Sequence, residues 1–216
     1  MPRTANTIDS SGVSLEGVLE LPEGADAANP CAAVVICHPH PLYGGSMDNN
    51  VVAAVASGLR QHGIGALMFN FRGVGRSDGA PGDRDEALAD ARAVLAFAGG
   101  LEAVDGSRGG LAGYSFGSGV AAAAAAASLP ALALIALPIS MADEGRAALA
   151  AYGNPLLLLS GSADNGSHEE GLRELAESTA GAASVEIVPG ADHFWWGHEH
   201  AITRTTGDFF AGALAE

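Results

Sequence analysis

No lysine occurs anywhere in this chain: its ten basic residues are all arginines, set against 25 acidic residues for a formal charge of −15. A surface so poor in positive charge lacks the basic stripe that nucleic acids and anionic membranes require, which excludes both as partners. The acidity itself reads as a source of solubility. A phosphate-binding loop is excluded as well, because the glycine-spaced stretch "FNFRGVGRSDG" (69–79) has no lysine to reach a phosphate and reads as a structural turn. Cysteine is almost absent. Cys31 and Cys37 are too few for a disulfide framework, and Cys37, inside an apolar run, reads as a reduced, buried thiol. The N-terminal "MPRTANTIDSSGVSLEG" contains no apolar signal region, so the expected location is the cytoplasm. The longest uncharged stretch, 120–139, is divided by Ser128, Pro130 and Pro138 into an alanine helix and a short aliphatic strand, and no membrane span is expected. HExxH and CxxC patterns are missing. In "CHPH" (37–40) the prolines stiffen the backbone and residues 37 and 38 point to opposite faces of a strand. No metal is therefore expected there, even with His193, His198 and His200 considered as further ligands.

What the chain does contain is 48% apolar residues over 216 positions, enough for one core, and a single domain spanning 1–216 is expected. Short Val/Ile/Leu runs alternate with stretches of helical period, the pattern of a mostly parallel sheet with helices on both faces. The opening departs from it. "VSLEGVLELP" (13–22) alternates with period two behind a turn, which predicts an antiparallel hairpin at the N-terminal edge. Strands are then expected at 32–38, 64–71, 109–115, 131–137, 155–161 and 184–190. Helices are expected at 48–61, 83–98, the alanines 121–127, 142–153, 168–178 and 199–214. In such sheets ligands bind beyond the carboxyl ends of the strands, so chemistry is sought at the strand exits.

At the exit of the 109–115 strand stands "GYSFG". Glycines two residues to either side of Ser115 let the chain turn sharply and hold the serine in a strained conformation with its hydroxyl presented. Serine needs a base and the base an orienting carboxylate. Of seven histidines, His193 in "GADHFWW" follows the last strand and can return to the sheet's carboxyl edge; His62, His168, His198 and His200 read as surface residues. Asp164, in the loop after the 155–161 strand, is preferred as the carboxylate over Asp192, which adjoins His193 and is poorly placed to meet its Nδ1 in plane. The exit of the first parallel strand reads "CHPHPLYGGSMDNN" (37–50). Phe116 is expected to supply one amide to an oxyanion and this loop the other; prolines 39 and 41 have no N–H, leaving His40, the preferred donor, and Leu42. Ser46 is a candidate cap for the helix that follows.

The chain order Ser115, Asp164, His193 and the matches "HPHPLYGGSMDN", "FNFRGVGRSDG", "GYSFG", "GSAD" and "GADHF" resemble the alpha/beta-hydrolase superfamily from about Val13 to Leu214, and within it a group of small, lidless bacterial serine hydrolases. Carboxylesterases and dienelactone-hydrolase-like enzymes are similar. Dienelactone hydrolases proper use a cysteine nucleophile, whereas this chain has serine at 115. The resemblance implies an alpha/beta-hydrolase fold, a serine hydrolase of small carboxylic esters or thioesters and no cofactor. Only 138–152 lies where many relatives insert a cap domain, so an open pocket is expected, with Tyr43 and Leu42 as substrate-binding residues and Phe116, Phe194 and Trp195 as further aromatic walls. A small-molecule ester is the expected partner, and the chain a monomer or homodimer. Two other readings stand beside this one: a prolyl-oligopeptidase-type peptidase, and a non-catalytic binding module on the same fold.

Overall fold

A computed structural model describes residues 1–215 and, at 143 and 144, the backbone only; Glu216, the last residue of the expected 1–216 span, lies outside the described residues. The strands are β1 (Arg3–Ser10), β2 (Val13–Glu20), β3 (Cys31–Cys37), β4 (Gly65–Phe69), β5 (Val104–Tyr114), β6 (Ala131–Ile135), β7 (Leu156–Gly161) and β8 (Ala183–Val188). They form one sheet in the order β1-β2-β4-β3-β5-β6-β7-β8. The β1–β2 and β2–β4 pairs are antiparallel and the others parallel, so the expected hairpin does occupy one edge.

Side chains alternate across each strand and so sort into two cores. On β3, Val34 and Ile36 face the layer formed by α1 (Asn50–Gln61) and α6 (Glu199–Ala213). Val35 and Cys37 face the layer formed by α2 (Arg84–Gly99), α3 (Phe116–Ala123), α4 (Ile139–Ala151) and α5 (Glu169–Glu177). With both faces covered, the central strands are shielded from water, which is why β3 over 32–36, β6 throughout and β7 over 156–159 are aliphatic runs rather than alternating ones.

Local chemistry sets the helix starts. Asp83 and Glu86 form a reciprocal capping box on α2. On α1 the cap is Asn49, whose side chain accepts the Val51 N–H at 2.9 Å; Ser46 sits too early for that and instead accepts from the amide of Asp48. The alanine helix is shorter than expected. α3 ends at Ala123, because the chain must drop to the start of β6 and Leu129 is drawn into the core. The carbonyls of its last turn accept the Ala124 and Ala125 amides, and beyond the helix the Asn154 amide donates to the carbonyls of Ala127 and Leu129. β5 is longer than expected, its polar first half pairing with β3 through an irregularity between Cys31 and Ala33.

The 69–79 stretch is a turn, as its glycines suggested. It is pinned by Arg72, which donates to the fully buried Asp90 of α2 at 2.8 Å, while Ser10 of β1 donates to the same carboxylate at 2.7 Å. Only α4 intervenes between β6 and β7, so no cap domain is inserted among the described residues. Among them, too, no helix is long and apolar enough to cross a membrane.

Candidate active site

The apolar run of β5 ends at Tyr114 and α3 begins at Phe116, leaving Ser115 alone to make the turn, at φ 54° and ψ −116°. Two glycines permit it. A Cβ on Gly113 would lie 2.2 Å from the carbonyl oxygen of Gly117, and one on Gly117 would lie 2.4 Å from that of Cys37, so the elbow is seated directly on the end of β3. The Ser115 amide donates to the Ile135 carbonyl at 3.0 Å, which fixes the turn to β6 as well.

His193 comes from the loop between β8 and α6. Asp192 folds that loop by accepting the N–H groups of Phe194 and Trp195 at 2.9 and 3.1 Å, and is thereby turned to its own backbone rather than to the imidazole. Trp195, in the left-handed region at φ 64°, is fully buried. It plugs the core beside Ile202 and Phe210, so the expectation that it walls a pocket is corrected: its backbone conformation turns the indole inward while Phe194 and Trp196 turn outward. Two further bonds hold the loop, from the Tyr114 hydroxyl to the His193 carbonyl at 2.7 Å and from the Asn50 amide to the Phe194 carbonyl at 3.1 Å.

These supports bring three predicted residues into one line. His193 Nε2 lies 2.9 Å from Ser115 Oγ, and Nδ1 lies 2.7 Å from Asp164 Oδ2. A carboxylate on Nδ1 fixes the tautomer with the proton there, leaving Nε2 to accept from the serine hydroxyl. Asp164 is buried, and its other oxygen accepts the amides of Gly166 and Ser167 at 2.9 and 3.1 Å. Burial opposes its ionisation, but the bond and charge of His193 and the two amides outweigh that and hold the carboxyl below its ordinary range.

The 38–45 loop closes the other side. The amides of Tyr43 and Gly45 both donate to the His40 carbonyl and that of Gly44 to the Pro41 carbonyl, each at 3.1 Å. The Leu42 amide donates to His40 Nδ1 at 3.2 Å. Since Pro39 and Pro41 carry no N–H, His40 is the residue of segment 39–45 whose amide is not spent within the loop. Its ring lies against that of Phe116, centroids 4.7 Å apart, so the two expected oxyanion donors are neighbours. Phe116 itself is nearly buried, between His40 and Phe71, and acts as a packing residue more than an exposed wall.

Sequence reasoning missed the residues that hold this loop. His38 is fully buried; its Nδ1–H donates to the Pro39 carbonyl at 2.6 Å and its Nε2 accepts the Phe71 amide at 3.1 Å. Burial pushes its pKa down to about 4, against a smaller upward pull from Pro39, so it is neutral at ordinary pH. Asn70 accepts the Met47 amide at 2.8 Å. Nothing local marks these two residues as struts, because the contacts that tie the loop down, Phe71 to His38 and Met47 to Asn70, span 33 and 23 residues of sequence. The ring nitrogens of His38 are both spent on backbone groups, and among the described residues no cluster of three or more His, Cys, Asp or Glu could hold a metal ion. His168 is exposed, as expected, and from there caps α5 by accepting the Gly171 amide.

Between the two loops lies a cavity of about 460 Å³ around Ser115 and His193, bordered by His40, Tyr43, Asn49, Tyr114 and Phe194. Leu42 stands outside it, 72% exposed.

Known proteins give this arrangement its context. The family model described as the alpha/beta hydrolase fold matches residues 32–144. An alpha-beta serine hydrolase homologue from Coxiella burnetii superposes with a TM-score of 0.83 at 29% identity, over 96% of this chain and 97% of that one. XC6422 from Xanthomonas campestris, an a/b serine hydrolase without lid, gives 0.84 at 29% identity over 100% and 98%. The uncharacterized protein RP471 of Rickettsia prowazekii is 42% identical over 72 residues, 33% of this chain and 30% of that protein. This chain spans less than two thirds of the length of the curated relatives it matches. With the family model covering more than half of its residues and serine hydrolases superposing on nearly its whole length, the chain belongs to the alpha/beta hydrolase fold family.

Proposed function

We propose that this chain is a serine hydrolase that cleaves small carboxylic esters or thioesters through an acyl-enzyme. One observation carries the reading: the hydrogen-bonded line from Ser115 Oγ through His193 to Asp164, with both imidazole nitrogens engaged. His193 Nε2 takes the hydroxyl proton as Ser115 Oγ attacks the carbonyl carbon. The same proton is then delivered to the leaving group as the C–O or C–S bond breaks. Water repeats the sequence on the acyl-enzyme, releasing the acid and restoring the serine. Asp164 holds the imidazole in plane and stabilises its cation.

The developing oxyanion is received by the amides of Phe116 and His40. The first is free of helical bonding because it opens α3, and the second is the one the 39–45 loop does not consume. Each donor of this kind is worth about 3 kcal/mol in the transition state. No cofactor enters these steps. A non-catalytic module would be favoured by a loose 162–166 loop, yet Asp164 is anchored there by two amides and by His193.

The test is labelling with a fluorophosphonate together with hydrolysis of p-nitrophenyl acetate. One adduct is expected at Ser115, with activity lost in Ser115→Ala. An unlabelled Ser115, or equal rates for both proteins, would sink the proposal.

A further inference from the structure

The large apolar side chains that stand in water are not scattered over this protein. Leu42, Tyr43, Phe194 and Trp196 are 72%, 88%, 61% and 73% exposed, and all four sit on the two loops that flank Ser115. Two come from the 38–45 loop and two from the loop that carries His193. Each loop is rigid for reasons unconnected with these side chains: the first is knitted by its own amides, the second by Asp192, Tyr114 and the buried Trp195. The four therefore contribute little to folding, and leaving them in water gains nothing for stability. Exposed apolar surface concentrated at one place marks a contact.

The cavity between the loops adds a second observation. In a chain with 25 acidic residues, no Asp, Glu or Arg side chain borders it. Besides Ser115 and His193 it is bordered by the rings of Tyr43, Tyr114 and Phe194, the imidazole of His40, prolyl and glycyl backbone and the amide of Asn49. With no fixed charge on its border, the cavity offers a charged substituent no ion-pair partner for the part of its hydration lost between the two loops.

We infer that the substrate is a neutral ester with an extended apolar or aromatic group, which lies between Tyr43 and Phe194 and continues toward Leu42 and Trp196. This rests on the hydrolase reading and sharpens it, since an open site built only for short esters has no use for an apolar rim reaching beyond the cavity. Tyr43 and Phe194 are then the residues that set specificity.

The experiment is a series of p-nitrophenyl esters from acetate to octanoate, with the half-ester of succinate as a charged member, run on wild type, Tyr43→Ser and Phe194→Ser. A methylene fully removed from water is worth about fourfold, and a rim open on one side recovers part of that. The wild-type kcat/KM is expected to rise about twofold per methylene, about 60-fold over the six methylenes from acetate to octanoate, with the succinate ester at the bottom. In each variant the octanoate-to-acetate ratio falls at least fivefold. Folding of the variants is checked by their thermal midpoints and by fluorophosphonate labelling of Ser115. Labelled Ser115 and active enzyme with a flat or inverted chain-length series, or a preference for the succinate ester, overturns this inference while leaving the hydrolase standing. No labelling and no hydrolysis of any ester removes the hydrolase reading itself, and this inference with it. Light scattering closes the remaining alternative: a wild-type dimer that either rim substitution converts to monomer would mean that a second copy covers the rim, and the substrate assignment falls.

Discussion

Replacing Ser115 by glycine should give a more stable protein than replacing it by alanine, although both variants lack the hydroxyl. The native backbone at this position, φ 54° and ψ −116°, is the mirror image of an extended conformation. It is open to glycine and costly for any residue with a Cβ, by about 1–3 kcal/mol. Against this stands the greater freedom of glycine in the unfolded chain, about 0.4–1 kcal/mol. The strain relief is the larger quantity, and the glycine variant should lead by about 1–2 kcal/mol. For a chain of this length that corresponds to about 3–6 °C in Tm. Circular dichroism melts of the two purified variants, with urea midpoints as a second measure, make the comparison without any contribution from activity. Equal midpoints, or an advantage for alanine, would show that the turn at Ser115 stores no strain, and the reading of its positive φ as costly would have to be abandoned.

Four further outcomes are expected. Asp164→Asn should lower kcat by about three to four orders of magnitude, since the amide can neither fix the tautomer nor stabilise the cation; a loss under tenfold in ester assays would remove Asp164 from the mechanism. Tyr114→Phe deletes the bond to the His193 carbonyl and should reduce kcat by about tenfold, an effect of about 1.4 kcal/mol on positioning, with a smaller change in KM; the reverse split would make Tyr114 a substrate contact instead. His38, whose folded pKa is pushed down to about 4, is a depressed base, so the unfolded chain takes up its proton first as pH falls. Its stabilising share is complete above about pH 7 and is lost between about 6.5 and 4, a total of about 3 kcal/mol; urea midpoints across that window should fall more steeply for wild type than for His38→Gln, and parallel lines would refute the assignment. Gly45→Ala places a Cβ 2.0 Å from the Pro39 carbonyl and should cut acylation at least a hundredfold by displacing the His40 amide, visible as slowed fluorophosphonate labelling.

Much of the architecture could be read from the chain because its determinants are local. Aliphatic runs covered on both faces cannot alternate, and period-two patterning at 13–22 marked the edge hairpin. GxSxG, the strand exits and their order led to Ser115, His193 and Asp164, which the fold does bring together. What could not be read depends on groups distant in sequence. The alanine run stops being helix at Ala123 and its continuation is held by Asn154, 27 residues beyond Ala127, which no property of the alanines themselves announces. His38 looked like one more histidine near a proline, yet it is the strut of the loop that presents His40. Trp195 was indistinguishable from Trp196 on composition, and only the positive φ between two exposed aromatics separates the buried ring from the exposed one. Ser46 and Asn49 are both good capping residues; where the backbone first becomes helical chose between them.

The short passage from β6 to β7 has a kinetic consequence. On the proposed reading, a site with no cap inserted among the described residues has no such element to open between turnovers, and product departs by diffusion from the cleft. The acyl-enzyme stands in bulk water throughout its life, so the second acceptor is chosen by concentration rather than by selection in a closed chamber. That biases the partition of the intermediate toward hydrolysis over transfer to another alcohol.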